Sequence, residues 1–309
     1  MRLPTFALDQ ALGRRDIILR GGLSRKEACA AYLLLLIPFS LYIVFVVIPA
    51  FYSGYLSFTR YSGFDKPTWV GLRNYRFLLK EPLSLKSLFN TVYFASGTVL
   101  LSVVLSLVFA VLLNQPFKGR GLFRTIIYLP VVTPMLAVAF AWKFMLDPSP
   151  SGLVNYLFSM VGIESKQWLS NVKLAMPAVI FVSVWKTLGY NMIIYLAGLQ
   201  EIPISLYEAA EIDGATFWQK FFYITVPLLK PVTIFVLVTS TISAFQAFEQ
   251  IYGMTEGGPA NSTYTLAYLI YVKAFRSLKF GEASALAVML ALIVLGLMSF
   301  YIKASFKKD

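Results

Sequence analysis

Thr239, Ser243, Gln246 and Gln250 recur at intervals of four, three and four residues inside an otherwise apolar stretch. On a helix that spacing sets them along one face. Hydroxyl and amide groups in such a setting either line a path for a polar solute or hydrogen-bond to a neighbouring helix, and both readings stand on the residues alone. Glu249 falls just off the stripe, where a structural or gating role suits it better than solute binding. A second polar interruption is Trp185, Lys186, Gly189, Tyr190 and Asn191. An aromatic ring beside an amide suits a sugar, whose C–H faces stack and whose hydroxyls need hydrogen-bond partners. That reading is favoured for Tyr190 and Asn191. For Trp185 and Lys186 an interface indole and a snorkelling ammonium fit better, and Lys143 is read as a similar anchor.

Other chemistries are excluded by what is missing. The 309 residues contain no histidine, which removes imidazole acid–base catalysis, Ser/His nucleophile pairs and H-E-x-x-H metal sites. The single cysteine, Cys29, has no partner in the chain for a disulfide. No G-x-x-x-x-G-K-[ST] phosphate loop is present, so the chain is not itself an ATPase. Catalytic and metal residues are therefore expected to be none.

The elements that carry these polar residues are membrane spans. The chain is 58% hydrophobic and only 14% charged, against about 25% charged in soluble domains. Charges are absent from 28–59, 87–117, 125–142 and 283–302, while 174–200 is broken only by Lys186 and 231–255 only by Glu249. About 20 apolar residues cross the hydrocarbon core at about 1.5 Å each. The expectation is an all-α polytopic membrane protein with about six spans, near 29–52, 88–113, 125–146, 174–199, 231–253 and 283–303. The net charge of +12 lies mostly in short loops, where lipid headgroups rather than nucleic acid receive it. Residues 1–27, with six Lys/Arg, read as a cytoplasmic tail and not a cleaved signal, ahead of a 28–309 membrane domain. Ser24 to Glu27 fits a capping box opening the first helix. With both termini inside, 14 Lys/Arg fall inside and 11 outside, a narrow positive-inside margin. Six of the outside cations lie between Arg60 and Lys86.

The segment 201–230 is too polar to span and too patterned to be a loose loop. Pro203 stops the helix before it, and Ser205 to Glu208 and Thr216 to Gln219 both fit capping boxes. Gly214 supplies the break between a short acidic helix near 206–213 and an aromatic helix near 217–225, and Pro227 turns the chain back toward the membrane. By periodicity alone this hairpin could simply lie on lipid. A further short helix is expected at 153–161 in the outside loop.

Glu208-Ala209-Ala210, three residues, Gly214, nine residues, Ile224, one residue, then Val226-Pro227 resembles the EAA motif of ABC importer permeases, which carries leucine where Val226 stands. Four further stretches resemble the sugar branch of that family, of the maltose, multiple-sugar and glycerol-3-phosphate type. They are Gly119-Arg120-Gly121-Leu122-Phe123-Arg124 leading to Leu129-Pro130, then Gly152-Leu153-Val154-Asn155, then Phe248-Glu249-Gln250-Ile251-Tyr252 with Thr255-Glu256-Gly257-Gly258-Pro259, and last Phe280-Gly281-Glu282-Ala283-Ser284-Ala285. The resemblance runs from about Trp69 onward. It implies a type I importer permease fold in a bacterial cytoplasmic (inner) membrane, multi-pass with both termini cytoplasmic, forming half of a pore for a sugar. It implies that Glu208, Ala209, Ala210, Asp213 and Gly214 couple to a cytoplasmic ATPase, with Glu208 facing a basic group there, and that Tyr190, Asn191, Ser243, Gln246 and Gln250 belong to the substrate pathway. The implied partners are a second permease subunit, two ATPase subunits that hold the ATP and magnesium this chain does not bind, an extracellular or periplasmic solute-binding protein, the sugar and membrane lipid. A self-sufficient secondary transporter or channel is the alternative. It calls for internal repeats and paired ionisable residues at mid-bilayer, neither of which is evident. An intramembrane enzyme has no visible carrier for its chemistry.

Overall fold

The computed structural model describes residues 25–149 and 152–306, and Ser24 of the expected first capping box lies outside them. The chain divides into two units, residues 1–55 and 56–309. In the first, helix α1 (Arg25–Tyr42) runs through a π turn at Ile43–Val47 into α2 (Ile48–Leu56). The run Cys29–Leu56 has a mean hydropathy of 2.6, and its 28 residues reach about 42 Å at the helical rise, enough to cross a bilayer with tilt.

The second unit opens with a small antiparallel pair, β1 (Thr59–Arg60) and β2 (Thr68–Trp69), followed by α3 (Arg73–Leu78) and the long α4 (Pro82–Asn114). Then come α5 (Arg120–Val132), α6 (Met135–Met145), α7 (Leu153–Met160) and α8 (Ala175–Glu201). A hairpin of α9 (Ile204–Ile212) and α10 (Phe217–Lys220) leads through a π turn into α11 (Val226–Leu228). The chain ends in α12 (Lys230–Phe245), α13 (Glu249–Met254), α14 (Leu266–Tyr271) and α15 (Phe280–Phe306).

Helices α4 and α8 form the centre, and hydroxyls rather than large side chains join them. Ser106 Oγ donates to the Leu188 carbonyl (3.2 Å), and the hydroxyls of Ser102 and Thr187 lie 3.5 Å apart. Small polar groups of this kind allow close helix approach and bond across the seam where lipid offers no hydrophobic drive. Helix α5 meets α8 at Gly189, where a β-carbon would fall 2.4 Å from the Ile127 carbonyl oxygen. Phe94, Val179, Phe245, Ile251, Leu269 and Leu286 are buried in the main apolar core, and Leu113, Met192, Tyr195, Leu199 and Leu229 in a second cluster toward the hairpin end.

Two of the expected spans are broken. The run expected as one helix at 125–146 is α5 and α6, bent by 100°. Pro134 forces the residue before it out of the helical region, and Thr133 duly sits at ψ 135°. The run expected at 231–253 is α12 and α13, with α12 ending at Phe245 and α11 bent against its other end by 65°. Four helices are long and apolar enough to cross a membrane unbroken, and six spans result only if each bent pair counts as one.

Opposite the hairpin, the spans are tied by polar side chains. Asn155, the last residue of the Gly-Leu-Val-Asn stretch, is buried; its amide donates to the carbonyls of Asp147 (3.0 Å) and Lys166 (3.1 Å) and its oxygen accepts from Lys166 N–H and Trp168 Nε1. Next to it, hydrogen bonds from Ser149 hold the exposed Asp147 carboxyl below the usual range. Asn90 of α4 clasps the carbonyls of Asn261 and Tyr264 at 3.0 Å each. Lys273 is buried between Glu81, at the start of α4, and Glu282, in the first turn of α15, at 3.0 and 2.7 Å.

Lys273 thereby fastens two spans through one buried cation. Lys273→Met should lower unfolding stability by about 3–5 kcal/mol, because it strands the partly buried Glu81 and leaves Glu282 only the exposed Lys279 at 3.6 Å. Adding Glu81→Gln and Glu282→Gln should recover most of that loss. Thermal midpoints of the three proteins in detergent test both halves; equal midpoints for Lys273→Met and the unmodified chain would remove the triad as a fastening.

Candidate functional site

Two places in the second unit gather the chemistry-bearing residues. The first is the hairpin. Helix α9 starts two residues earlier than its Ser205 to Glu208 pattern predicts: Pro203 is the N-cap, so Ser205 lies inside the first turn and that capping box does not form. The preset φ of proline, here −59°, favours a helix start at that point. The second box does form. Gln219 N–H donates to Thr216 Oγ1, and Thr216 N–H donates to Gln219 Oε1 at 2.7 Å. The aromatic helix covers the expected 217–225 and continues to Leu228, α10 passing through a π turn at Phe221–Thr225 into α11, so Pro227 sits inside the first turn of α11 and the bend falls at Leu229.

Gly214 closes α9 with φ +76°, and Gly214 N–H and Ala215 N–H donate to the carbonyls of Glu211 (3.0 Å) and Ala210 (2.8 Å). That is a Schellman ending, which satisfies carbonyls the helix leaves free. The two arms are then pinned by an ion pair between Lys220 and Glu211 and by a 2.9 Å hydrogen bond between Tyr207 and Thr225. The result is a rigid block, not a loose loop. Its solvent face carries Glu208, Ala209 and Asp213, with Ala210 half-buried behind them. Ile212 is 87% exposed in the same helix and was not singled out from sequence; an isoleucine flanked by Glu211 and Asp213 in so polar a segment is the signal that could have found it.

The second place is a cavity of about 120 Å³ between α4, α8, α12 and α13. Tyr190, Asn191, Thr239, Ser243 and Gln250 line it, whereas Gln246 does not. Helix α12 ends before Gln246, so the four-residue stripe does not continue as one helical face, although Gln250 returns from α13. Asn191 is buried and donates to Ser102 Oγ (2.8 Å) and Ser240 Oγ (3.1 Å), bridging three helices. Sequence reading passed over Thr98, Ser102 and Thr187 in the same wall; Thr98, Ser102 and Ser106 recur every four residues, a helical stripe too modest to stand out in an apolar run. Thr98 Oγ1 is buried without a hydrogen-bond partner among the described residues.

Lys186 does not snorkel. Its ammonium donates to the Val131 carbonyl (2.9 Å), at the end of α5 where the bend toward α6 ends the helical pairing. Glu249 lies close enough for its charge to act on that ammonium. Trp185 stacks edge-on with Trp142 at 5.5 Å between centroids. Lys143 is paired at 3.9 Å with Glu256. Among the described residues there is no group of three or more His, Cys, Asp or Glu side chains placed to hold a metal.

Comparison with known proteins gives concordant findings. The family described as "Binding-protein-dependent transport system inner membrane component" matches residues 102–308. The chain is 37% identical to the trehalose/maltose transport system permease protein of Thermococcus litoralis, over 95% of this chain and all of that one. It is 36% identical to the arabinooligosaccharides transport system permease protein of Halalkalibacterium halodurans, over 89% and 88% of the two chains. The sn-glycerol-3-phosphate transport system permease protein of Agrobacterium fabrum is also 36% identical, over 87% and 92%. A chain of a bacterial ABC transporter that imports the acidic polysaccharide alginate has the same fold, with a TM-score of 0.81, 25% identity and coverage of 96% and 98%.

The two glycines separate two kinds of constraint. Gly189→Ala should cost about 1–3 kcal/mol, since its β-carbon meets backbone at 2.4 Å. Gly214→Ala meets nothing within 4 Å and should cost only the left-handed backbone term, about 1–2 kcal/mol. Unfolding midpoints of the two variants in one detergent check this. A clear loss of fold at Gly214→Ala with Gly189→Ala unaffected would reverse the assignment.

Proposed function

We propose, for a chain that belongs to the family of binding-protein-dependent transport system inner membrane components, that its cargo is a carbohydrate and that the α9–α10 hairpin receives the force that moves it. The chain is a permease, the membrane-embedded subunit of an ABC importer, and ATP hydrolysis belongs to separate subunits. The observation that carries the coupling role is the rigid hairpin itself. A helix closed by a Schellman ending, cross-braced to its return arm and exposing Glu208, Ala209 and Ile212, can seat in a partner's cleft and move with it as one body. Glu208 would face a basic group there. Ala209 would allow close approach, and Ile212 would supply the apolar contact that an 87% exposed isoleucine otherwise lacks.

The carbohydrate assignment rests on the relatives' named cargo and on the polar seam. The cavity of about 120 Å³ holds about four waters at about 30 Å³ each, less than a sugar with about a dozen non-hydrogen atoms fills, and it opens past the exposed Tyr190 and Ser243. Tyr190, Ser243, Gln250 and the unpartnered Thr98 hydroxyl offer an aromatic face and hydroxyl partners. Asn191 holds this arrangement. The working assembly in this reading contains a second permease subunit, two cytoplasmic ATPase subunits carrying ATP and magnesium, and a solute-binding protein on the outer side. It sits in the inner membrane with hairpin and termini cytoplasmic.

Glu208→Lys, Ile212→Asp and Gly214→Val should each reduce uptake of a trehalose or maltose probe by at least tenfold in the reconstituted importer. The chain should remain in the membrane, and a cysteine at Ala209 should cross-link to the ATPase. Undiminished uptake and ATPase retention in all three would leave the hairpin as a membrane-surface element. Alanine at Tyr190, Ser243 or Gln250 should raise the KM for uptake while binding-protein-stimulated ATP hydrolysis persists.

A further inference from the structure

The narrow positive-inside margin has a definite source. Arg60, Lys66, Arg73, Arg76, Lys80 and Lys86 lie on the face opposite the hairpin, where they work against the charge bias. Only Lys86 of the six has a hydrogen bond from its charged group, to the Ala260 carbonyl at 2.7 Å, and among the described residues none of them has a carboxylate within ion-pair distance.

Two of the free cations, Arg60 and Arg73, face one cavity together. A pocket of about 570 Å³ lies between the β1–β2 pair, α3 and the first turn of α15, and Arg60, Arg73 and Lys279 line it. Its one carboxylate, Glu282, is already held by Lys273 at 2.7 Å and Lys279 at 3.6 Å. Lys273 is in turn matched by Glu81, so the pocket carries an uncompensated charge of about +2. Its walls are fixed. Asn74 donates to the carbonyls of Ser57 (2.8 Å) and Thr59 (2.9 Å), and the Tyr61 ring packs on Phe280 with centroids 5.8 Å apart. The remaining lining mixes the hydroxyl residues Thr59, Ser62 and Ser277 with apolar side chains that are open to the outside: Phe64 is 82% exposed, and Phe77 and Leu278 are also exposed. The pocket adjoins the first residue of the α15 span, Phe280, and so lies at the membrane interface.

We propose that this pocket binds the phosphate headgroup of an anionic phospholipid, with Arg60, Arg73 and Lys279 on the phosphate and Phe64, Phe77 and Leu278 against the start of its acyl chains. Cations and aromatic rings together at a span's end are the chemistry of a headgroup site. A charged protein surface would satisfy the cations but would leave the apolar wall at the interface without a partner. A phospholipid supplies both. The bound lipid would neutralise the charge that otherwise opposes placing this face outside.

The test is lipid retention by the full-length chain, alone and within the assembled importer. Each is purified in mild detergent, offered mixed phosphatidylglycerol and phosphatidylcholine, and read by native mass spectrometry. Phosphatidylglycerol should be retained preferentially. An Arg60→Gln/Arg73→Gln double variant should lose about twenty-fivefold, about fivefold per cation, the factor that about 1 kcal/mol per surface cation corresponds to. Lys118→Gln, at the hairpin end, should retain lipid as the unmodified chain does. Because neither arginine has a partner to strand, the double variant should keep its thermal midpoint, and Arg73→Gln alone serves if it does not. Equal retention of the two lipids, or unchanged phosphatidylglycerol retention in the variants, would overturn the assignment. So would loss of solute-binding-protein association with lipid retention intact, which would make the patch a protein dock.

Discussion

In hydrocarbon no water is available to a free carbonyl or N–H, so every interruption of a span must be repaired by the protein itself. That constraint organises this structure. Pro134 breaks α5 from α6, and the carbonyl of Val131 at the break takes its hydrogen bond from Lys186 of α8. The repair uses a charged side chain in a span that otherwise carries none, which explains why Lys186 interrupts the apolar run. Gly189, one turn on, lets the same segment of α5 approach the α8 backbone directly. The bend, the lysine and the glycine are one arrangement.

The same constraint governs what the residue pattern could and could not disclose. Unbroken spans such as α4, α8 and α15 are legible because length and hydropathy are local properties, and they were expected within a few residues of where they lie. The broken spans were not, because a run of apolar residues through a bend has the same composition as a straight one. Pro134 and the polar cluster Gln246 to Glu249 were visible, but proline within a span is often tolerated. Ser205 shows the matching ambiguity at a helix start: two residues apart, Pro203 and Ser205 both offer a beginning, and only one is used.

For the candidate site, the hairpin was legible in its helix–turn–helix outline, but not in where α9 starts or in the exposed Ile212. Its signals, a capping box and a glycine after an acidic residue, act within a few residues of one another. The polar seam was legible on α8 and α12 and missed on α4. Thr98, Ser102 and Ser106 are small hydroxyls that a span carries at little cost, so they do not announce a partner. Their role appears only when Ser102, Thr187, Asn191 and Ser240 are brought together from three helices.

The two ends of the second unit differ in how they are held, and that difference bears on the proposed coupling. At one end Lys273, Asn90 and Asn155 tie α4, α15 and the connecting loops to one another through buried polar contacts. At the other, the hairpin is stiff within itself, and the bundle beside it is closed by the apolar cluster around Leu199 and Leu229. A buried ion pair or a doubly bonded amide is costly to break once its partners are out of water. A force applied to α9 would thus pass through Leu229, where the chain bends, into α12. The bonds that oppose its movement at mid-seam include the one between Asn191 and Ser240, at 3.1 Å. Neutral hydrogen bonds within a membrane are worth about 0.6–2 kcal/mol. That is a small resistance beside the buried Lys273 ion pairs at the other end.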